Sequence, residues 1–198
     1  DDSGVTDNGN TLGIDPSAYN YLADGESAVI TYSYNVIDGE GGVVAQTATV
    51  TITGVNDAPT VSAAVTTTKT EDDASFSLDL LTNASDVDTT DVLNVSNLMK
   101  TAGDDSGVTD NGNSLGIDPN AYNYLADGES AIITYSYNVI DGEGGVIAQT
   151  ASITITGVND APTVSAAVTT TVTEDAAGFS LALLTNASDV DTTDVLNV

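Results

Sequence analysis

A chain of 198 residues carrying 30 carboxylates against two basic residues, Lys69 and Lys100, has a formal net charge of −28 at neutral pH. That charge excludes non-specific binding to nucleic acid or to an anionic membrane surface. The absence of Cys and His removes disulfides and thiolate or imidazole metal sites. Apolar content is ordinary at 40 %, which separates the chain from disordered sequences. No run of eighteen apolar residues exists to span a membrane as a helix. The carboxylates gather near turns, so specific cations rather than diffuse salt are expected to offset their repulsion.

Taken in order, the chain opens on Asp1-Asp2-Ser3-Gly4 with no initiator Met and no visible signal peptide, which reads as a piece of something longer. Residues 1–10 have the composition of a cation loop but lack the EF-hand spacing and its closing Glu, so a flexible acidic loop is expected. Tyr19, Tyr21, Tyr32 and Tyr34 alternate in a way that fits core and cross-strand packing better than a sugar platform. The stretch Gly54-Val55-Asn56-Asp57-Ala58-Pro59 then ends one alternating run and precedes another. Pro cannot donate to a ladder and sits naturally at a strand start. The stretch is therefore expected to be a joint between β-domains, with its Asn-Asp pair free to hold a cation.

Beyond the joint, Phe76, Leu78 and Leu80 alternate with polar residues, as do Ile133, Tyr135, Tyr137 and Val139, and then Ala151, Ile153 and Ile155. A period of two predicts half-buried strands. Asp141-Gly142-Glu143-Gly144-Gly145 is the predicted turn between the last two, and no amphipathic helix stands out. In Asp86-Val87-Asp88-Thr89-Thr90-Asp91, carboxylates two apart on an extended loop can face a shared ion; a solvated turn is the plainer alternative. Paired carboxylates in repeated turns mark out no single cleft, so no enzyme is expected.

Residues 1–95 recur at 104–198 with about ten changes, and the joint recurs letter for letter at Gly157-Val158-Asn159-Asp160-Ala161-Pro162. A 103-residue period is one domain long, so tandem domains are predicted. The joints divide them as 1–57, the back of one domain; 58–157, a complete domain; and 158–198, the front of a third. About seven short strands per unit predict an all-β, Ig-like sandwich. Asp73 and Asp79 become Ala176 and Ala182 in the second copy, so neither carboxylate is expected to be essential.

The segment from Tyr34 through the Asp38-Gly39-Glu40-Gly41-Gly42 turn to Pro59, and the segment from Asn56 through Glu71 to Asp88, resemble cadherin-like domains. More narrowly, they are similar to the VCBS repeats of giant RTX-type bacterial surface adhesins. The resemblance covers essentially the whole chain. It implies tandem cadherin-like sandwiches with Ca²⁺ at the joints. The implied ligands are Asn56, Asp57, Asn159 and Asp160 in the linkers, then Asp86, Asp88, Asp189 and Asp191 at the top of each domain. Asp38 and Asp141 precede the last strand pair. Asp24, Glu26, Asp127 and Glu129 lie earlier, where a hairpin loop would also favour Asp-Gly-Glu. Glu71 and Glu174 belong to the first strand. Gly54 replaces an acidic residue of animal cadherin linkers and Ala58 an Asn, which implies one or two ions per joint. The implied function is an extender segment of a secreted, cell-surface bacterial adhesin, supporting adhesion and biofilm. Its expected partners are calcium ions and neighbouring repeats, with no nucleic acid and no direct membrane insertion. The alternatives are a head-to-tail extracellular filament subunit and a carbohydrate-binding accessory module of a polysaccharide-degrading enzyme.

Overall fold

The computed structural model describes residues 2–198; Asp1, the first residue of the acidic loop, lies outside them. Strands β1 (Val5–Asp7) and β2 (Leu12–Ile14) form an antiparallel hairpin. A 3₁₀ turn follows at Pro16–Tyr19, opened by Asp15, whose carboxylate accepts from the Ser17 backbone N–H at 3.1 Å. Strands β3 (Ser27–Ile37) and β4 (Val43–Thr53) are 11 residues each and pair antiparallel along their whole length. The predicted joint at 54–59 is extended and belongs to no sheet. After it come β5 (Thr60–Val61), β6 (Val65–Thr70), β7 (Phe76–Asp79), β8 (Ala84–Ser85), β9 (Asn94–Ala102), β10 (Val108–Asp110) and β11 (Ser114–Ile117). A second 3₁₀ turn at Pro119–Tyr122 leads into β12 (Ser130–Ile140) and β13 (Val146–Thr156), followed by β14 (Thr163–Val164) and β15 (Ala187–Ser188). No helix among the described residues is long and apolar enough to cross a membrane.

The architecture is an all-β sandwich. One sheet has the order β6-β13-β12-β9 and the other β10-β11-β7. The strands form where Val, Ile, Thr and Tyr are dense, because branched and aromatic side chains pack well on a pleated surface. The pairing of β6 with β13 is parallel, from Ala151↔Val65 to Thr156↔Thr70. The predicted turn at Asp141 separates β12 from β13, and its carboxylate accepts from the N–H groups of Glu143, Gly144 and Gly145.

The chain divides into two units. The first comprises Asp1–Ala63, Leu81–Asn97 and Tyr137–Gln149. Its core holds Tyr19, Leu22 and Ile30, with Val5, Tyr32 and Ile52 packed around them. The second comprises Ala64–Leu80, Leu98–Ser136 and Thr150–Val198. There Leu80, Ile133 from β12, and Ile153 and Ile155 from β13 are fully buried, as their alternation predicts, beside Leu115 and Ile117 from β11 and Tyr122. Each such side chain contributes about 1.5–3 kcal/mol by leaving water.

Candidate cation sites

In the first unit, Asp86, Asp91 and Asp141 bring one carboxylate oxygen each to within 4.8 Å of one another. The loop that carries Asp86 folds back on itself: Asp86 Oδ1 accepts from Asp88 N–H at 3.1 Å, and Asp91 N–H donates to the Asp88 carbonyl. Asp88 Oδ2 accepts from the Asp57 backbone N–H at 2.7 Å, which ties this loop to the joint. Asn56 Nδ2 donates to Asp141 Oδ2 at 3.2 Å. Thr89 N–H reaches the Tyr21 carbonyl. Residues before and after the joint therefore meet at one place.

The second unit repeats the arrangement with different members. Glu71, Asp160 and Asp191 bring carboxylate oxygens within 4.8 Å of one another. Asp160 N–H donates to Asp191 Oδ2 at 2.9 Å, the counterpart of the Asp57–Asp88 bond. Glu71 is 0 % exposed and accepts from Val158 N–H at 2.8 Å. Asn123 Nδ2 donates to Asp160 Oδ2 at 3.0 Å, and Thr192 N–H reaches the Tyr124 carbonyl.

Among the described residues, buried oxygens at both places lack a hydrogen-bond partner. At the first they are Asn56 Oδ1, Asp86 Oδ2, Asp88 Oδ1 and Asp91 Oδ2; at the second, Glu71 Oε2, Asn123 Oδ1 and Asp191 Oδ1. Such atoms are costly unless something positive meets them. Burial, then the neighbouring Glu143, Asp88, Asp86 and Asp141 charges, raise the Asp91 pKa. Burial also raises Glu71, helped by Asp160 and Asp191 and opposed by the Val158 N–H. Asp160 is raised by burial and by Asp191, and Asp194 by burial, Asp191, Asp189 and Glu129. Asp141 goes the other way: burial opposes its charge, but the Asn56 amide and three backbone N–H donors outweigh that and lower its pKa. Every donor is oxygen, a set suited to a hard cation such as Ca²⁺ and poorly suited to Zn²⁺ or Cu.

Residues 55–156 match the Cadherin-like domain family. The chain belongs to that family. Comparison with curated proteins gives no match. Among solved structures, the cadherin-like chain is similar to EC1-2 of human mucin-like protocadherin, at 19 % identity over 78 % of each chain with a TM-score of 0.49. It is also similar to EC1-3 of a mouse clustered protocadherin, at 16 % identity over 74 % of this chain and 47 % of that one, with a TM-score of 0.38. A nucleoside hydrolase-related hypothetical protein from Saccharophagus degradans, described as associated with carbohydrate metabolism, shares 20 % identity over 52 % of this chain and 26 % of its own, with a TM-score of 0.32.

The cadherin-like resemblance nominated sixteen positions, and the structure sorts them. Asn56, Asp57, Asp86, Asp88 and Asp141 meet at the first cluster; Glu71, Asp160 and Asp191 meet at the second. Asp189 supports the second by accepting from Asp191 N–H, and Glu129 lies close enough to raise the Asp194 pKa. Glu26 and Glu129 each also accept from a backbone N–H three residues back, which closes their own turns. Asp24, Asp127, Asp38 and Glu174 are exposed and outside both clusters. Asn159 is exposed and donates to the Asp160 carbonyl. Sequence reasoning passed over Asp91, although it closes the Asp-Val-Asp-Thr-Thr-Asp run; its spacing from Asp86 was the available signal. Asn123 ends a 3₁₀ turn and carries no local signal at all. The Gly of each joint is explained by space. A Cβ at Gly54 would strike the Leu22 and Ala23 carbonyls, and one at Gly157 those of Leu125 and Ala126. An acidic residue cannot occupy either position without moving that backbone.

Proposed function

We propose that this chain is a non-catalytic extender segment of a secreted bacterial surface adhesin of the VCBS-repeat kind, whose joints are stiffened by Ca²⁺ and which holds a distal adhesive domain away from the cell, in support of adhesion and biofilm. The observation that carries the reading is the set of buried, unpartnered carboxylate and amide oxygens gathered where the joint meets the Asp-x-Asp loop. Asn56, Asp86, Asp88, Asp91 and Asp141 would hold an ion at the first place, and Glu71, Asn123, Asp160 and Asp191 at the second. Bound Ca²⁺ supplies positive charge that cancels repulsion among these groups and links segments on either side of the joint. The residues themselves orient the site through the Asp57–Asp88 and Asp160–Asp191 bonds. Belonging to the cadherin-like family and the low content of basic residues support the same reading.

Extracellular modules of this sort typically bind Ca²⁺ at about 10⁻⁴–10⁻³ M. An ion at a hundred times its dissociation constant stabilises by about 2.7 kcal/mol per site, which raises Tm by roughly 5–10 °C for a chain of this size. The test is thermal melting in chelator, in millimolar Ca²⁺, and in NaCl of equal ionic strength. Ca²⁺ restores stability well beyond NaCl. Equal rescue by the two would reduce the clusters to screened surface charge.

A further inference from the structure

The acidic members of the two clusters differ, but the bonds that hold the Asp-x-Asp loop do not. Thr89 follows Asp88, and both its N–H and its hydroxyl donate to the Tyr21 carbonyl, at 3.2 and 3.3 Å. Thr192 follows Asp191 and treats the Tyr124 carbonyl in the same way, at 3.1 Å for each donor. Inside the loop, Asp86 accepts from Asp88 N–H and Asp189 from Asp191 N–H. Asp91 N–H and Asp194 N–H then close it on the Asp88 and Asp191 carbonyls. Asp88 and Asp191 are each 2 % exposed. Each turns Oδ2 to a joint N–H, while its Oδ1 has no hydrogen-bond partner among the described residues. Each Thr therefore fastens the loop directly beside the carboxylate whose free oxygen faces the cluster.

The carbonyl that each Thr grips is firmly placed. Tyr21 and Tyr124 stand just beyond the two 3₁₀ turns. Buried Tyr19, Leu22 and Ala23 flank the first, and buried Tyr122, Leu125 and Ala126 the second. Leu22 N–H donates to the Tyr19 carbonyl and Leu125 N–H to the Tyr122 carbonyl, which keeps the backbone between them tight. Both Thr are exposed, so burial does not force their hydroxyls onto these carbonyls. Every group in the contact is uncharged, and it needs no cation to form.

We propose that Thr89 and Thr192 are positioning residues for the cation sites, each fastening its Asp-x-Asp loop before an ion arrives. The inference rests on the cation reading above and adds to it two neutral residues that act through their acidic neighbours. A loop ordered by folding loses less conformational freedom on binding, which raises affinity. Val at either place keeps the backbone donor and the branched shape but lacks the hydroxyl; Ser keeps the hydroxyl.

The 198-residue chain carrying Thr89→Val and Thr192→Val is titrated with Ca²⁺ by calorimetry, beside Thr89→Ser with Thr192→Ser and Thr90→Val with Thr193→Val. The first pair weakens binding about tenfold, at the low end of what groups orienting metal ligands contribute. The Ser pair binds as the wild type does, and the Val pair one residue along leaves affinity unchanged. Hydrogen exchange in chelator supplies a readout apart from binding. The Thr89 and Thr192 amides are protected in the wild type, and positions 89 and 192 exchange faster in the first Val pair, while the Ile133, Ile153 and Ile155 amides stay equally slow in both. Equal affinity for the first Val pair and the wild type overturns the proposal. So does weakened binding in the Ser pair or in the Thr90 and Thr193 pair, or protection of the two Thr amides only after Ca²⁺ is added. A wild-type chain that takes up no Ca²⁺ overturns the cation reading and this role with it. Failure of the positioning alone is told apart by a wild type that binds.

Discussion

Tyr34 and Tyr137 occupy the same place in near-identical strands, yet one is 48 % exposed and the other 3 %. Val36 and Val139 divide in the same way. Nothing local separates the pairs, because the flanking sequence is almost unchanged. β12 has β13 on one side and β9 on the other, and the β10-β11-β7 sheet belongs to the same sandwich; among the described residues β3 pairs only with β4. The acidic positions follow the same rule. Asp141 and Asp38 each accept backbone N–H bonds from the turn that follows them, but Asp141 also meets Asn56, Asp86 and Asp91 and is buried. Alternation and turn chemistry make a strand and its turn. Neighbours decide whether these become core and buried carboxylate cluster or remain surface.

Paired substitutions separate the two surroundings. The largest expected effect is in the core. Leu80 is 0 % exposed and its counterpart Leu183 is 60 % exposed. Leu80→Ala is expected to cost about 2–5 kcal/mol, while Leu183→Ala stays within about 0.5 kcal/mol, by denaturant unfolding at concentrations where the chain is monomeric. Similar costs for the two would mean that the second copy hides a core that the exposure does not reveal.

A smaller effect is expected at the cation sites. Asp141→Ala should weaken Ca²⁺ binding by at least about tenfold, since even second-sphere changes at metal sites cost 10–100-fold. Asp38→Ala removes the same turn-closing carboxylate and should leave affinity unchanged in calorimetry. Asp91→Asn should also weaken binding, which would establish the residue that sequence reasoning passed over.

The smallest effect concerns pH. In chelator, Glu71, Asp91, Asp160 and Asp194 have pKa values raised by folding. The folded state then binds more protons than the unfolded state in the window just above the ordinary values of 3.8 and 4.5. Stability should therefore rise as pH falls from neutral into that window and be lost as pH climbs through the raised values. Asp38, Asp73, Asp105 and Asp141 are lowered, and they oppose this only as pH falls below 3.8. With Ca²⁺ bound the slope should reverse, because protons compete with the ion for the same oxygens. Melting curves across pH with and without Ca²⁺ check the sign.

The all-β class, the alternation that puts Ile133, Ile153 and Ile155 inside, the Asp141 turn and the place of the Asn-Asp stretches could be read along the chain. These follow from periods of two, from Gly and Asp in turns, and from a 103-residue repeat. The family resemblance also supplied most members of the two clusters. Which of two identical residues enters a cluster depends on its folded surroundings. Glu71 is buried at a cluster while Glu174 is exposed, and Asn56 bonds Asp141 while Asn159 turns back to Asp160. Asn123 and Asp91 joined the sites in the same way, brought there by a 3₁₀ turn and a loop fold that no short motif encodes. The physical reason is that local pattern specifies a residue's own backbone and face. Burial and charge coupling depend on segments far along the chain, and identical words acquire different surroundings there.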